Sequence, residues 1–310
     1  MAVVINFKLV LNYKNSGKPP SEGRGLMSRA LLRKLLKRGI YIEYPIKSYS
    51  ELFRVMRLYD VRSIPVIKKD TKEFLGVIRL SKVVAKLSEP IFMLIEKNPP
   101  AITDKYTFDE ALKFMLTHKL WETPYVTSSG GFMGIIRLQD VVKYYWSYIT
   151  SRWSTCKLVK DIKGKSVLAL WYKTPANVAV TSMKYLDSEI ALVLDDDGKV
   201  VGAVFLQDLL AEGEEITREK QSSLSTGSED QEWDWTGETI VYISKKQYII
   251  SKRPIGEFAE ALEKVYENGN LSSALKVIAG SKRGWAFVVD AYGEVRYPIS
   301  IMDILCHMIS

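Results

Sequence analysis

A chain of 310 residues, 47% apolar and 26% charged, has room for two domains of ordinary size and the balance of a globular protein. With only two cysteines, Cys156 and Cys306, and two histidines, His118 and His307, it lacks the means for a disulfide framework or a histidine-cysteine metal cluster. No apolar run reaches the roughly 18 residues of a membrane span, so the expectation is a cytoplasmic protein with no membrane partner. The formal charge of +8 is concentrated: residues 1–47 hold ten Lys or Arg against Glu22 and Glu43, and the other 263 residues balance.

In chain order, residues 1–39 form a basic N-terminal segment: an expected strand over Val3 to Leu11, a loop around Pro19-Pro20, and a helix from Met27 to Arg38 stopped by Gly39. Leu31, Leu32, Leu35 and Leu36 give this helix an apolar stripe between basic residues. The stripe suits docking on the body of the protein, whereas the charge suits an acidic surface or nucleic acid. Short amphipathic helices follow at Ser50 to Met56, Asp109 to Met115, Ala176 to Met183 and Ser272 to Ile278. After each comes an apolar strand, a turn and a second strand ending in a polar triplet. The anchoring pairs are Pro65 with Gly76, Pro124 with Gly134, Ala191 with Gly202, and Ala286 with Tyr297. A unit this small cannot close a core alone, so the four copies should pair. Between copies three and four, residues 212–238 hold nine acidic and two basic side chains and read as a mobile acidic insertion. Trp233 and Trp235 within it imply docking on the body or on a partner.

The sequence Asn98-Pro99-Pro100-Ala101-Ile102, then Asp109-Glu110-Ala111-Leu112, then Gly134 to Asp140 resembles the CBS domain. Four copies resemble the gamma subunit of AMP-activated protein kinase. The fold implied is α+β: four CBS repeats (strand-helix-strand-strand-helix) paired into two Bateman modules, 40–150 with repeats one and two and 151–310 with repeats three and four. The resemblance also implies adenine nucleotides as ligands, with no other cofactor required. In such clefts a Thr or Ser ends the second strand, and an Asp three residues on grips the ribose hydroxyls. By position the carboxylates are Asp140, Asp208 and Asp303, with Lys82 in copy one. The hydroxyl is retained as Ser300 alone, Arg79, Arg137 and Phe205 standing at the matching places. Arg79 and Arg137 suit phosphate, and Lys282 and Arg283 are expected to supply the phosphate contact for Asp303. An Asp at a helix start equally serves as a cap.

No phosphate loop, nucleophile elbow or acid-base pair is apparent, which points to a binder and not an enzyme. The leading expectation is a regulatory, energy-sensing protein binding AMP, ADP or ATP and acting on a protein partner. Alternatives are a degenerate scaffold for oligomerisation, a homodimer included, and nucleic-acid binding through the basic segment.

Overall fold

The computed structural model describes residues 26–153, 156–162, 167–225 and 238–309. The expected strand over Val3 to Leu11, the Pro19-Pro20 loop, Trp233 and Trp235 lie outside them. Helix α1 (Leu26–Leu35) precedes copy one, which consists of β1 (Ile42–Tyr44), α2 (Tyr49–Tyr59), β2 (Ser63–Lys68), β3 (Phe74–Arg79) and α3 (Leu80–Ala85). Copy two is β4 (Ile102–Thr103), α4 (Phe108–Thr117), β5 (Glu122–Val126), β6 (Phe132–Arg137) and α5 (Leu138–Arg152). Copy three is β7 (Ala169–Trp171), α6 (Ala176–Tyr185), β8 (Ile190–Leu194), β9 (Val200–Phe205) and α7 (Leu206–Ala211). A ribbon of β10 (Glu214–Ser225) and β11 (Glu238–Ile249) intervenes. Copy four is then β12 (Glu263–Tyr266), α8 (Leu271–Gly280), β13 (Trp285–Val289), β14 (Val295–Ser300) and α9 (Ile301–Ile309).

Local chemistry sets these boundaries. Ser48 caps α2 by accepting from the Glu51 amide, Thr107 and Glu110 close a capping box on α4, and Asn270 caps α8. Within each copy the short first strand runs parallel to the second, and the second pairs antiparallel with the third. The register aligns Pro65 and Pro124 with Leu192 and Phe287, one residue later than the alanines chosen from spacing. The insertion also differs from expectation: its flanks form a regular twelve-pair antiparallel ladder. Composition concealed it because the apolar strand lies at the far end, beginning where the acidic run stops.

The copies are joined by exchanged backbone. Lys37, ahead of copy one, trades reciprocal amide hydrogen bonds with Ile135 of copy two, at 2.9 and 3.0 Å. Glu96, ahead of copy two, does the same with Val77 of copy one, and Glu260, ahead of copy four, with Ala203 of copy three. The segment ahead of copy three reaches copy four, where the Val159 amide donates to the Gly269 carbonyl. This capture explains why α1 stops at Leu35 and not at Arg38, since Lys37 is already in extended pairing with β6. The repeat glycines make room for the crossing chain. A Cβ on Gly76 or Gly134 would lie 2.1 or 2.5 Å from the carbonyl oxygen of Glu96 or Lys37, and both glycines have positive φ near 140°.

Helices then join the pairs. α2, α6 and α7 of copies one and three share one core through Leu52, Phe53, Met56, Val180, Met183 and Leu210. Copies two and four share another through Leu112, Met115, Val142, Leu275, Ile304 and Leu305. Leu32 and Leu35 of α1 sit in that second core, so the leucine stripe is a docking face. The sheets of copies three and four meet through Leu192, Phe205, Phe287 and Val289. Neighbours therefore run one, two, four, three around a closed ring. Among the described residues no helix is long and apolar enough to cross a membrane. Cys156 is exposed, and Cys306 is half-buried in α9.

At the seam of copies one and two, buried Glu122 accepts from the amides of Arg62 and Ser63 and from the Ser63 hydroxyl. Burial pushes its carboxyl up to about 7, against the pull of Arg62. The native state thus keeps a proton that the unfolded chain releases near pH 4.5, and stability falls as pH rises from there through about 7. We expect Glu122→Gln to flatten this slope, which amounts to on the order of 3 kcal/mol, in urea titrations at pH 4.5 and 8. A second expectation concerns the crossing point. Gly134→Ala should cost about 1–3 kcal/mol through strain at its positive φ, before the contact with Lys37 is counted. An unchanged thermal midpoint would show that the crossing chain is not clamped there.

Candidate functional site

Each copy ends its last strand where the following helix begins, and there it places the side chain at the strand end three residues before the position of the helix carboxylate. In copy four these are Ser300 and Asp303. The Ser300 amide and hydroxyl donate to Asp303 Oδ2 at 3.1 and 2.6 Å, and the Asp303 amide donates back to Ser300 Oγ at 3.2 Å. The exchange caps α9 and fixes both side chains at the wall of a cleft of about 690 Å³ between copies three and four. Tyr297, Pro298 and Ile299 of β14 continue that wall, and Ile162 and Val167 bring apolar surface from the segment leading into copy three. All four copies reach the cleft: Ser81 comes from copy one, Lys119 and Trp121 from copy two, and Lys184 and Glu189 from copy three. Trp121 stacks on Trp285 with centroids 6.0 Å apart, and Arg62 lies 3.8 Å above the Trp121 ring.

Copy four differs from the other copies at Tyr297. It pairs with Val288 as Gly76, Gly134 and Gly202 pair with their partners, so a bulky ring stands where the other copies leave space for crossing backbone. Its hydroxyl lies 3.4 Å from the carbonyl oxygen of Val159 in the segment leading into copy three.

The other expected positions are engaged within the protein. Asp140 is buried and receives a bidentate pair from Arg137, at 2.7 and 3.0 Å, while the third nitrogen of that guanidinium donates to the Tyr59 carbonyl of copy one. Arg79, the equivalent of Arg137, finds Lys82 where the Asp would be and turns instead to Glu96 at 2.8 Å. Phe205 packs between the sheets of copies three and four. Asp208 is buried and accepts from Arg283 at 2.7 Å, with Arg57 3.6 Å from its other oxygen. Burial raises its carboxyl above the usual range despite the Arg283 charge.

Arg283 and Asp303 are not brought together as expected. Buried Arg283 donates to Asp60 of copy one, Asp208 of copy three and Glu260 in the segment leading into copy four. Exposed Lys282 pairs with Glu260 at 3.2 Å. The reason is geometric: the residue ahead of the first core strand faces the neighbouring copy, not the helix of its own. Reading each copy by itself therefore missed Lys119, Lys184, Glu189, Asp60 and Glu260. The tryptophans offered a signal, since Trp121 immediately precedes the second strand of copy two and Trp285 opens that of copy four.

Comparison with known proteins bears on this architecture. Residues 93–147 and 159–215, the second and third copies, match the model of the CBS domain family. A Methanocaldococcus jannaschii protein described as a candidate archaeal homologue of the gamma subunit of AMP-activated protein kinase superposes with a TM-score of 0.63 at 16% identity, covering 89% of this chain and 99% of its own. An uncharacterised conserved protein of Pyrococcus horikoshii superposes with a TM-score of 0.52 at 18% identity and the same coverage. At such identities the likeness is one of fold. A search of curated proteins finds no match. Residues 93–147 and 159–215 are thus CBS domains, and the first and fourth copies share the fold of those two, so that the four units are arranged in two pairs.

Proposed function

We propose that the chain is a non-catalytic regulatory protein that binds one adenine nucleotide in the cleft between copies three and four. The observation that carries this reading is that Ser300 and Asp303, the one complete hydroxyl-carboxylate pair, line a cleft of nucleotide size. In this reading Asp303 accepts the two ribose hydroxyls, and the base lies against Tyr297 to Ile299 and the apolar side chains of Ile162 and Val167. The phosphates reach the rim, where Lys119 and Lys184 are exposed. AMP, ADP and ATP are the candidates. A ligand there touches all four copies, so it favours whichever arrangement of the two pairs best closes on it, and a protein partner would read that shift. Asp140 and Asp208 take part in a different way: their carboxylates hold Arg137 and Arg283, which favours a structural role for those two clefts.

Titration calorimetry with AMP, ADP, ATP and adenosine tests the assignment. Wild type should bind at least one with a stoichiometry of one, and Asp303→Asn, which keeps the helix cap, should weaken binding about 10- to 100-fold, as expected for losing hydrogen bonds to a charged acceptor. Asp140→Asn should leave the affinity within about twofold. Absence of binding at millimolar nucleotide, or an Asp303→Asn variant that binds like wild type, would remove the proposal and leave the scaffold reading.

A further inference from the structure

Helix α1 and the turn behind it belong to no repeat and lie outside the cleft. Their seat is fixed twice. Leu32 and Leu35, each 2% exposed, sit in the core of copies two and four, and the Lys37 backbone is paired with Ile135 of β6. With the apolar stripe buried, α1 turns Arg33 and Lys34 to solvent, and Arg38 is exposed just past the helix end.

These three cations stand without carboxylates. Among the residues whose side chains are described, every other arginine except Arg54 is ion-paired, whereas Arg33, Lys34 and Arg38 form no salt bridge. α1 contains no acid, and the one acid between α1 and α2, Glu43, is held by Lys72 at 2.6 Å. In sequence the bias continues ahead of the helix, where residues 1–25 hold Lys8, Lys14, Lys18 and Arg24 against Glu22. A helix C-terminus favours cations in its last turn, which accounts for Arg33 and Lys34 but not for Arg38.

We propose that this outward face binds the phosphodiester backbone of nucleic acid without reading its sequence. Phosphates need only charge and donors at a surface, and Arg33 and Arg38 present guanidinium groups suited to bidentate contact. A protein partner would call for an apolar centre to bury, and a lipid surface for apolar side chains that enter the headgroups. α1 offers neither, since Leu32 and Leu35 face the core and Leu31 and Leu36 are half-buried against it. Net charge supports the same choice: the formal +8 resides in residues 1–47, so attraction to a polyanion is concentrated at one segment of the chain.

Fluorescence anisotropy of the full chain with a labelled DNA duplex and a labelled single-stranded RNA, both of arbitrary sequence, tests the assignment. Wild type should bind both with a dissociation constant of about 1–100 μM at physiological salt, weakening steeply as salt is raised, and the tighter of the two identifies the polymer. Arg33→Gln with Lys34→Gln and Arg38→Gln should weaken binding about tenfold or more and lower the salt slope by about two to three. A control triple, Lys160→Gln with Lys199→Gln and Lys264→Gln, removes the same charge from exposed sites in the second half of the chain and should change affinity by about twofold at most. Absence of binding to either polymer at low salt would overturn the proposal, as would equal losses from the two triples. Tighter binding to phosphatidylserine vesicles than to the duplex would overturn it in favour of lipid. A lowered thermal midpoint with unchanged affinity would overturn it too, reducing the cations to partners of the helix dipole. All six positions are exposed, so both triples should fold as wild type does, with circular dichroism as the check. None lies in the cleft, so nucleotide binding is read separately.

Discussion

Everything in this architecture depends on chain segments that leave one repeat to complete the sheet of its neighbour. The reciprocal amide bonds of Lys37 with Ile135, Glu96 with Val77 and Glu260 with Ala203 are backbone bonds in buried sheet, where an unmade partner carries a full desolvation penalty. No single copy can satisfy its own last strand. Pairing is therefore built into the covalent path, and the repeat glycines are the sites at which that path crosses.

The middle of the ring solves a second problem, that of charge. Asp60, Asp208 and Glu260 converge from three directions on the one guanidinium of Arg283, while Arg62 holds Glu189 at 2.7 Å and approaches Glu122. Removing one partner from such a buried cluster is far more damaging than the net worth of any pair suggests, because the remaining charges stay desolvated. The cluster links copies one, three and four directly, and Arg62 adds copy two. A ligand in the adjoining cleft would sit beside this junction, through Glu189 and Trp121, so occupancy and the arrangement of the pairs share a wall.

Much of the fold was legible in the sequence because helix and strand periodicities recur four times over. The helices around Leu52, Leu112, Val180 and Leu275 were placed by their apolar spacing, and their buried faces are those expected. Ser300 and Asp303 were legible because both lie in one strand-helix junction, a local pattern. Arg283 was not, since its partners Asp60 and Asp208 are far away in sequence and are brought near only by the ring. The insertion misled through composition: β10 carries just two large apolar residues, Ile216 and Leu224, and its apolar partner strand begins at Glu238, where the acidic run ends.

Among the described residues strand exchange is confined to each half of the chain. The segments before copies one and two each pair with the other copy of that half, as do those before copies three and four, and the described residues after α5 carry no strand across the divide. What unites the halves is side-chain packing between α5 and α8 and between α2 and α7, together with the salt-bridged junction. Severing the polypeptide just beyond Arg152 would leave every ladder intact, so the molecule is a heterodimer in physical terms whose two subunits happen to share one peptide thread.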